Sequence, residues 1–175
     1  MKKGLVHIYT GDGKGKTTAC AGLALRMAGS GGRVLYSFMQ KGIMSSEVRL
    51  LETIPGVDVI QICTMTKFSY LQNDEEKAEY KKQHTEGLRE IVSLCKSGKY
   101  AMVIVDEAIG AIHEKAVNLK DIIELIETRP ENCEIVLSGR KAPAELTEIA
   151  DYVSDIHAVK HPFDRGIPAR RGVEF

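Results

Sequence analysis

The sequence predicts a three-layer α/β fold, a mostly parallel central sheet with helices on both faces. Three observations carry that prediction. Short apolar runs rich in β-branched residues alternate with helical patterns along the chain, the order in which a parallel sheet and its crossover helices are written. Two of the runs, Met102-Val103-Ile104-Val105 and Ile135-Val136-Leu137, are apolar at every position, as strands covered on both faces are. The first run ends in a glycine-rich turn that opens a helix, Gly11-Asp12-Gly13-Lys14-Gly15-Lys16-Thr17-Thr18.

In chain order, strands are expected over Leu5–Tyr9, Arg33–Phe38, Val57–Ile62, Met102–Asp106, Glu134–Ser138 and Tyr152–Ala158. Between the first two, Thr17–Ala28 is built of small, helix-compatible residues and stops at Gly29-Ser30-Gly31-Gly32. Asn73 followed by Glu76 has the form of an N-cap with a reciprocal carboxylate, opening a helix that runs to about Lys96. On it Tyr80, His84, Leu88, Ile91 and either Leu94 or Cys95 fall on one stripe at helical spacing. A shorter helix is expected over Leu119–Glu127, before Arg129-Pro130, and another from about Pro143. Residues 63–72 and 160–175 break the alternation yet carry aromatic and basic residues. Loops at the carboxyl ends of parallel strands are where such sheets bind ligands, so both segments are candidates for substrate contact.

The chain has 175 residues, which at about 150 residues per domain is one domain spanning 1–175. Its 43% hydrophobic and 27% charged composition is that of an ordinary globular chain and excludes collagen-like or disordered classes. Lys plus Arg is 24 and Asp plus Glu is 24, a net charge of zero. That balance argues against nucleic acid as a partner, because such binding rests on an excess of cations facing phosphates. Cys20, Cys63, Cys95 and Cys133 are widely spaced with no Cys-x-x-Cys, the pattern of buried thiols rather than of a zinc site or disulfide framework. The opening apolar run breaks at Thr10-Gly11-Asp12, too short for a signal segment or membrane span. The expectation is a cytoplasmic protein without a membrane partner.

The glycine-rich turn carries the chemistry. It satisfies the Gly-Lys-Thr end of the phosphate-loop pattern, with Thr10 where the first glycine usually stands. This makes the expected fold P-loop NTPase-like. Gly11, Gly13 and Gly15 let the backbone turn so that successive N–H groups face phosphate oxygens. The helix beginning at Thr17 adds its positive end. Lys16 supplies a cation and the Thr17 hydroxyl suits Mg2+. Val103-Ile104-Val105-Asp106-Glu107 places two carboxylates at the end of a buried strand, and Asp106 or Glu107 would ligate the metal directly or through water. A kinase or ATPase and a nucleotide-binding module without turnover would share these residues.

The run Thr-Gly-Asp-Gly-Lys-Gly-Lys-Thr-Thr-Ala resembles the phosphate-loop ATP:corrinoid adenosyltransferases of the cob(I)alamin and cob(I)yrinic acid a,c-diamide type. The likeness extends over essentially the whole chain. Gly22 and Arg26 match a glycine and an arginine of the first helix, Lys41-Gly42 the Lys-Gly after the second strand, Val105-Asp106-Glu107 an apolar-Asp-Glu, and Ser138-Gly139-Arg140 a Thr-Gly-Arg. The tail from Val159-Lys160-His161-Pro162-Phe163 through Gly166, Ala169, Gly172, Val173 and Glu174 is its most specific part. Lys67-Phe68-Ser69-Tyr70 stands where the family has Gly-Phe-Thr-Trp, so Tyr replaces Trp.

The resemblance implies transfer of the 5′-deoxyadenosyl group of ATP to cobalt(I) of a reduced corrinoid, with release of triphosphate, in adenosylcobalamin biosynthesis or salvage. It implies ATP contacts by Thr10 through Thr18, Arg26, Lys41 and Arg140. It implies corrinoid contacts by Phe68, Tyr70, His161 and Phe163, with Phe68 and Tyr70 taking the place of the lower axial ligand. A flavoprotein reductant and a homodimer are likewise implied. Cobalt(I) is itself a strong nucleophile, so the protein need supply no general base, only positioning and charge, with Lys16 and Thr17 in the catalytic roles. His7, His84, His113 and His157 are read as structural or surface residues.

Overall fold

A computed structural model describes residues 3–39, 45–67 and 71–174. Six parallel strands order as β3-β2-β4-β5-β1-β6, from β1 (Val6–Thr10), β2 (Val34–Phe38), β3 (Val57–Gln61), β4 (Met102–Asp106), β5 (Glu134–Ser138) and β6 (Tyr152–Asp155). The helices are α1 (Lys16–Gly29), α2 (Ser46–Leu51), α3 (Asp74–Lys96), α4 (Ala108–His113), α5 (Leu119–Glu127) and α6 (Ala144–Ile149).

The continuous apolar strands feed two cores at once. In β4, Met102 and Ile104 join Cys20, Ala21 and Ala24 of α1 and Val48 and Leu51 of α2. Val103 and Val105 face the other way, into a core with Leu88 and Ile91 of α3, Ile109 of α4 and Ile122 and Leu125 of α5. β2 and β5 divide in the same manner, with Tyr36 and Val136 on the first side and Leu35, Ile135 and Leu137 on the second. The small residues of α1 let that helix lie close against the sheet, and Cys20 and Ala24 are completely buried.

The expected stripe on α3 is buried, and Cys95 rather than Leu94 completes it. Its capping box forms as anticipated, with Glu76 N–H donating to Asn73 and Asn73 N–H to Glu76, both at 2.8 Å. All four cysteines are buried free thiols. Two helices lie where the sequence sets out none. α2 and α4 have six residues each, too few to establish a helical period. The expected strand to Ala158 stops at Asp155, because the backbone beyond it serves the glycine-rich turn: Ile156 N–H donates to Thr10 O at 2.9 Å and Gly13 N–H to Ile156 O at 2.8 Å. The tail adds a short 3-10 turn over Pro162–Arg165. Among the described residues, no helix is long and apolar enough to cross a membrane.

Candidate nucleotide site

β1 lies inside the sheet between β5 and β6, and its carboxyl end delivers the chain into the glycine-rich turn and α1. Gly11 has φ +98, and a Cβ there would lie 2.3 Å from Ile156 O. A side chain is therefore excluded by backbone conformation and by the neighbouring segment together. The same segment changes one expectation about the turn. The Gly13 N–H does not face a phosphate, since it is spent on Ile156 O. The remaining amides and the free N–H groups of the first turn of α1 are the donors that can serve an anion.

Lys16 opens α1 and is 8% exposed. Its ammonium donates to Gly11 O and Gly13 O, both at 2.8 Å, which holds the loop closed on itself. Burial lowers its pKa, while Glu107 opposes that shift and Arg140 adds to it. Lys14 reaches Glu174 of the tail at 3.4 Å. Glu174 is also bound by Arg170 through backbone and guanidinium, and the Arg170 contacts, chiefly, hold its carboxyl down at about 2.

A cavity of about 650 Å³ opens over this loop. It gathers Asp12, Gly13, Lys14, Gly15, Lys16, Thr17 and Thr18 from the turn, Glu107 from the end of β4, Arg140 from the end of β5, and His161 from the tail. These are residues the sequence singled out, brought together from four separate segments. Gly172, Val173 and Glu174 complete one wall and Ser45, Ser46 and Glu47 another. The α2 contribution carried no motif by which the sequence could have announced it.

The other expected residues lie elsewhere. Thr10 is beneath the loop, its hydroxyl accepting from Ala142 N–H at 3.1 Å. Arg26 is exposed in the last turn of α1 and does not border the cavity, which reaches along that helix only as far as Leu25. Phe163 is 76% exposed on the 3-10 turn. Lys41, Phe68 and Tyr70 lie outside the described residues.

The two carboxylates after β4 differ sharply. Asp106 is 3% exposed. It accepts from the Ser138 hydroxyl through Oδ1 and from the Tyr36 phenol through Oδ2 at 3.3 Å. Burial, chiefly, and the Asp106 charge push the Tyr36 phenol far above its ordinary range, so it stays protonated and donates. Glu107, by contrast, borders the cavity. The Thr17 hydroxyl and Glu107 carboxylate are hard oxygen donors bordering the same cavity, which fits Mg2+ held by one or two protein oxygens and by phosphates. Among the described residues no cluster of three or more His, Cys, Asp or Glu could form a cage for a metal.

Residues 2–175 match a protein-family model described as ATP:corrinoid adenosyltransferase BtuR/CobO/CobP. The chain is 30% identical over 176 residues to a corrinoid adenosyltransferase of a Sinorhizobium species, covering 99% of this chain and 81% of that protein. It is 28% identical to the corrinoid adenosyltransferase of Escherichia coli K12 and 28% identical to the corrinoid adenosyltransferase CobA of Salmonella typhimurium LT2, in each case covering 99% of this chain and 87% of the relative. Among solved structures, the crystal structure of the RadB recombinase superposes with a TM-score of 0.50 at 19% identity, over 91% of this chain and 77% of that one. That likeness is one of fold, the three-layer P-loop NTPase-like arrangement.

Proposed function

The chain belongs to the ATP:corrinoid adenosyltransferase family, and from that premise we propose that it moves the 5′-deoxyadenosyl group of ATP onto cobalt(I) of a reduced corrinoid and releases triphosphate. The observation that supports this most directly is the shared cavity. The phosphate loop and the family's characteristic tail form two walls of one space, so the segment that generic phosphate-loop proteins lack stands where the nucleotide would bind.

In the proposed reaction, cobalt(I) attacks C5′ of ATP. The Co–C bond forms, the C5′–O5′ bond breaks, and its electron pair leaves on the triphosphate. No proton changes hands, so the work left to the protein is alignment and neutralisation of the leaving charge. Lys16 would exchange its two carbonyl partners for phosphate oxygens, with Lys14 and Arg140, which also border the cavity, as further cations. Thr17 and Glu107 would hold Mg2+, which supplies positive charge to the triphosphate, and Asp106 stands behind them. His161 borders the same cavity and would contact nucleotide or corrinoid. Phe68, Tyr70 and Phe163 are proposed for the corrinoid, and Lys41 for ATP, on the strength of the family likeness. The same likeness supports a flavoprotein as electron donor, a homodimer, and a cytoplasmic role in adenosylcobalamin biosynthesis or salvage.

The test is the product on cobalt. Protein, ATP and chemically reduced cobinamide or cobalamin should yield a photolabile organocobalt species whose visible spectrum reverts on illumination. A corrinoid that stays unalkylated while ATP is consumed would refute the proposal.

A further inference from the structure

We propose that Ser138 is a positioning residue that selects which carboxylate faces the nucleotide: its hydroxyl turns Asp106 inward and fixes Glu107 toward the cavity. The inference rests on the magnesium role of Glu107 proposed above.

Ser138 is the last residue of β5 and is fully buried. Besides a contact with the Cys20 thiol, its hydroxyl makes two hydrogen bonds of opposite sense. The oxygen accepts the Glu107 N–H at 2.9 Å and the hydroxyl proton goes to Asp106 Oδ1. One group thus grips two consecutive residues, the side chain of the first and the backbone of the second. With Tyr36 on Oδ2, the Asp106 carboxylate has a donor on each oxygen and a buried position. It is not among the residues bordering the cavity.

Glu107 sits at φ 60, ψ 20, in the left-handed region, as the N-cap of α4. That conformation is unfavourable for a residue with a Cβ and persists only where its surroundings enforce it. Two features enforce it here. One is the hydrogen bond from Glu107 N–H to Ser138. The other is the following residue, Gly139 at φ +140, where a Cβ would lie 2.8 Å from Ile109 Cβ and 2.9 Å from Gly110 N. The end of β5 is therefore pressed against the first turn of α4, which leaves that turn no room to relax. The left-handed step between Asp106 and α4 separates the two side chains, one to the interior and one to the cavity. A hydroxyl both donates and accepts strongly at this point, so threonine can substitute and alanine cannot.

Calorimetric titration of ATP with and without Mg2+ isolates the role, because it reads metal-dependent affinity apart from turnover. For Ser138→Ala the magnesium-dependent gain in ATP affinity should fall at least tenfold, with metal-free ATP binding unchanged within twofold. Ser138→Thr should restore the gain to within threefold. Tyr36→Phe removes the other Asp106 donor without touching Glu107, and should keep the gain. In a Glu107→Gln background, Ser138→Ala should add less than a twofold further loss. Should Ser138→Ala not fold, as judged by circular dichroism, Ser138→Cys keeps the volume with a far weaker donor and is read the same way. The proposal is overturned if the magnesium gain survives in Ser138→Ala, if metal-free and magnesium-dependent binding fall together, or if the loss is undiminished beside Glu107→Gln. Failure of the underlying nucleotide assignment has a different signature: the wild-type protein would bind no ATP under either condition.

Discussion

Replacing Lys16 with alanine should separate stability from chemistry. In the folded protein the ammonium makes two hydrogen bonds at 2.8 Å, each worth about 1.5–3 kcal/mol for a charged donor. Against them stands the cost of holding an ammonium in a site that is only 8% exposed, several kcal/mol for a buried ion by order of magnitude. The two contributions oppose and nearly cancel, so Lys16→Ala should shift stability by no more than about 2 kcal/mol. At about 2–4 °C per kcal/mol for a chain of this size, Tm should move by under about 8 °C. The rate has no such compensation. Removing one preorganised donor from a developing anion costs about 2.7–4 kcal/mol, which at 1.36 kcal/mol per tenfold is roughly 100- to 1000-fold. The assay is adenosylation of chemically pre-reduced corrinoid at saturating ATP and Mg2+, beside a thermal melt of the same preparation. Turnover within tenfold of wild type would mean that Lys16 does not stabilise the leaving triphosphate, and a loss of activity matched by a collapse of Tm would make Lys16 a residue of the fold rather than of the chemistry.

Thr17→Ala should weaken metal binding, so that raising Mg2+ recovers part of the lost rate; a defect indifferent to Mg2+ would remove Thr17 from the metal. Joint replacement of Phe68 and Tyr70 by alanine should slow the reaction strongly when cobalt(II) corrinoid and a flavoprotein reductant are supplied, and much less with pre-reduced cobalt(I). Equal losses in the two assays, accompanied by a lower Tm, would make the pair packing residues. At the β3 edge, hydrogen bonds from Lys99 and then Tyr100, with Arg33, hold the Asp58 carboxyl down at about 2. A carboxyl depressed on folding stabilises the protein above its unfolded value and loses that contribution as the pH falls through the folded one. Asp58→Asn should therefore lower Tm at pH 7 by about 1–4 °C, as fits a half-exposed pair. The difference from wild type should close between about pH 4 and pH 2, and a gap that stays constant across that range would show that the carboxylate charge is not its source.

The sheet was legible because the strands are apolar on both faces: β4 and β5 could lie nowhere but between two helical layers. α3 was legible from its cap as well as its stripe, since Asn73 and Glu76 are a local device whose geometry the sequence states outright. α4 was hidden. It is six residues long and begins at a left-handed Glu107, a conformation imposed by the Ser138 hydrogen bond and the packing of Gly139 rather than by any local preference. The phosphate loop was plain in the spacing of Lys16 and Thr17. The diversion of the Gly13 amide to Ile156 was not, because it depends on β6 coming to rest beside β1 from more than a hundred residues away. For the same reason the Asp-Glu pair could be recognised as acidic and at a strand end, while its division into an inward and an outward carboxylate became visible only with Tyr36 and Ser138 in place.

A loop that holds triphosphate as a leaving group must release it intact, and the phosphorus-containing product shows whether it does. With ATP, Mg2+ and a cobalt(I) corrinoid, phosphorus NMR of the filtered reaction should show inorganic triphosphate accumulating in step with the adenosylated corrinoid, one for one. ADP with orthophosphate, at any yield of corrinoid product, would mean that the loop cleaves between phosphates and does not hold triphosphate as the leaving group.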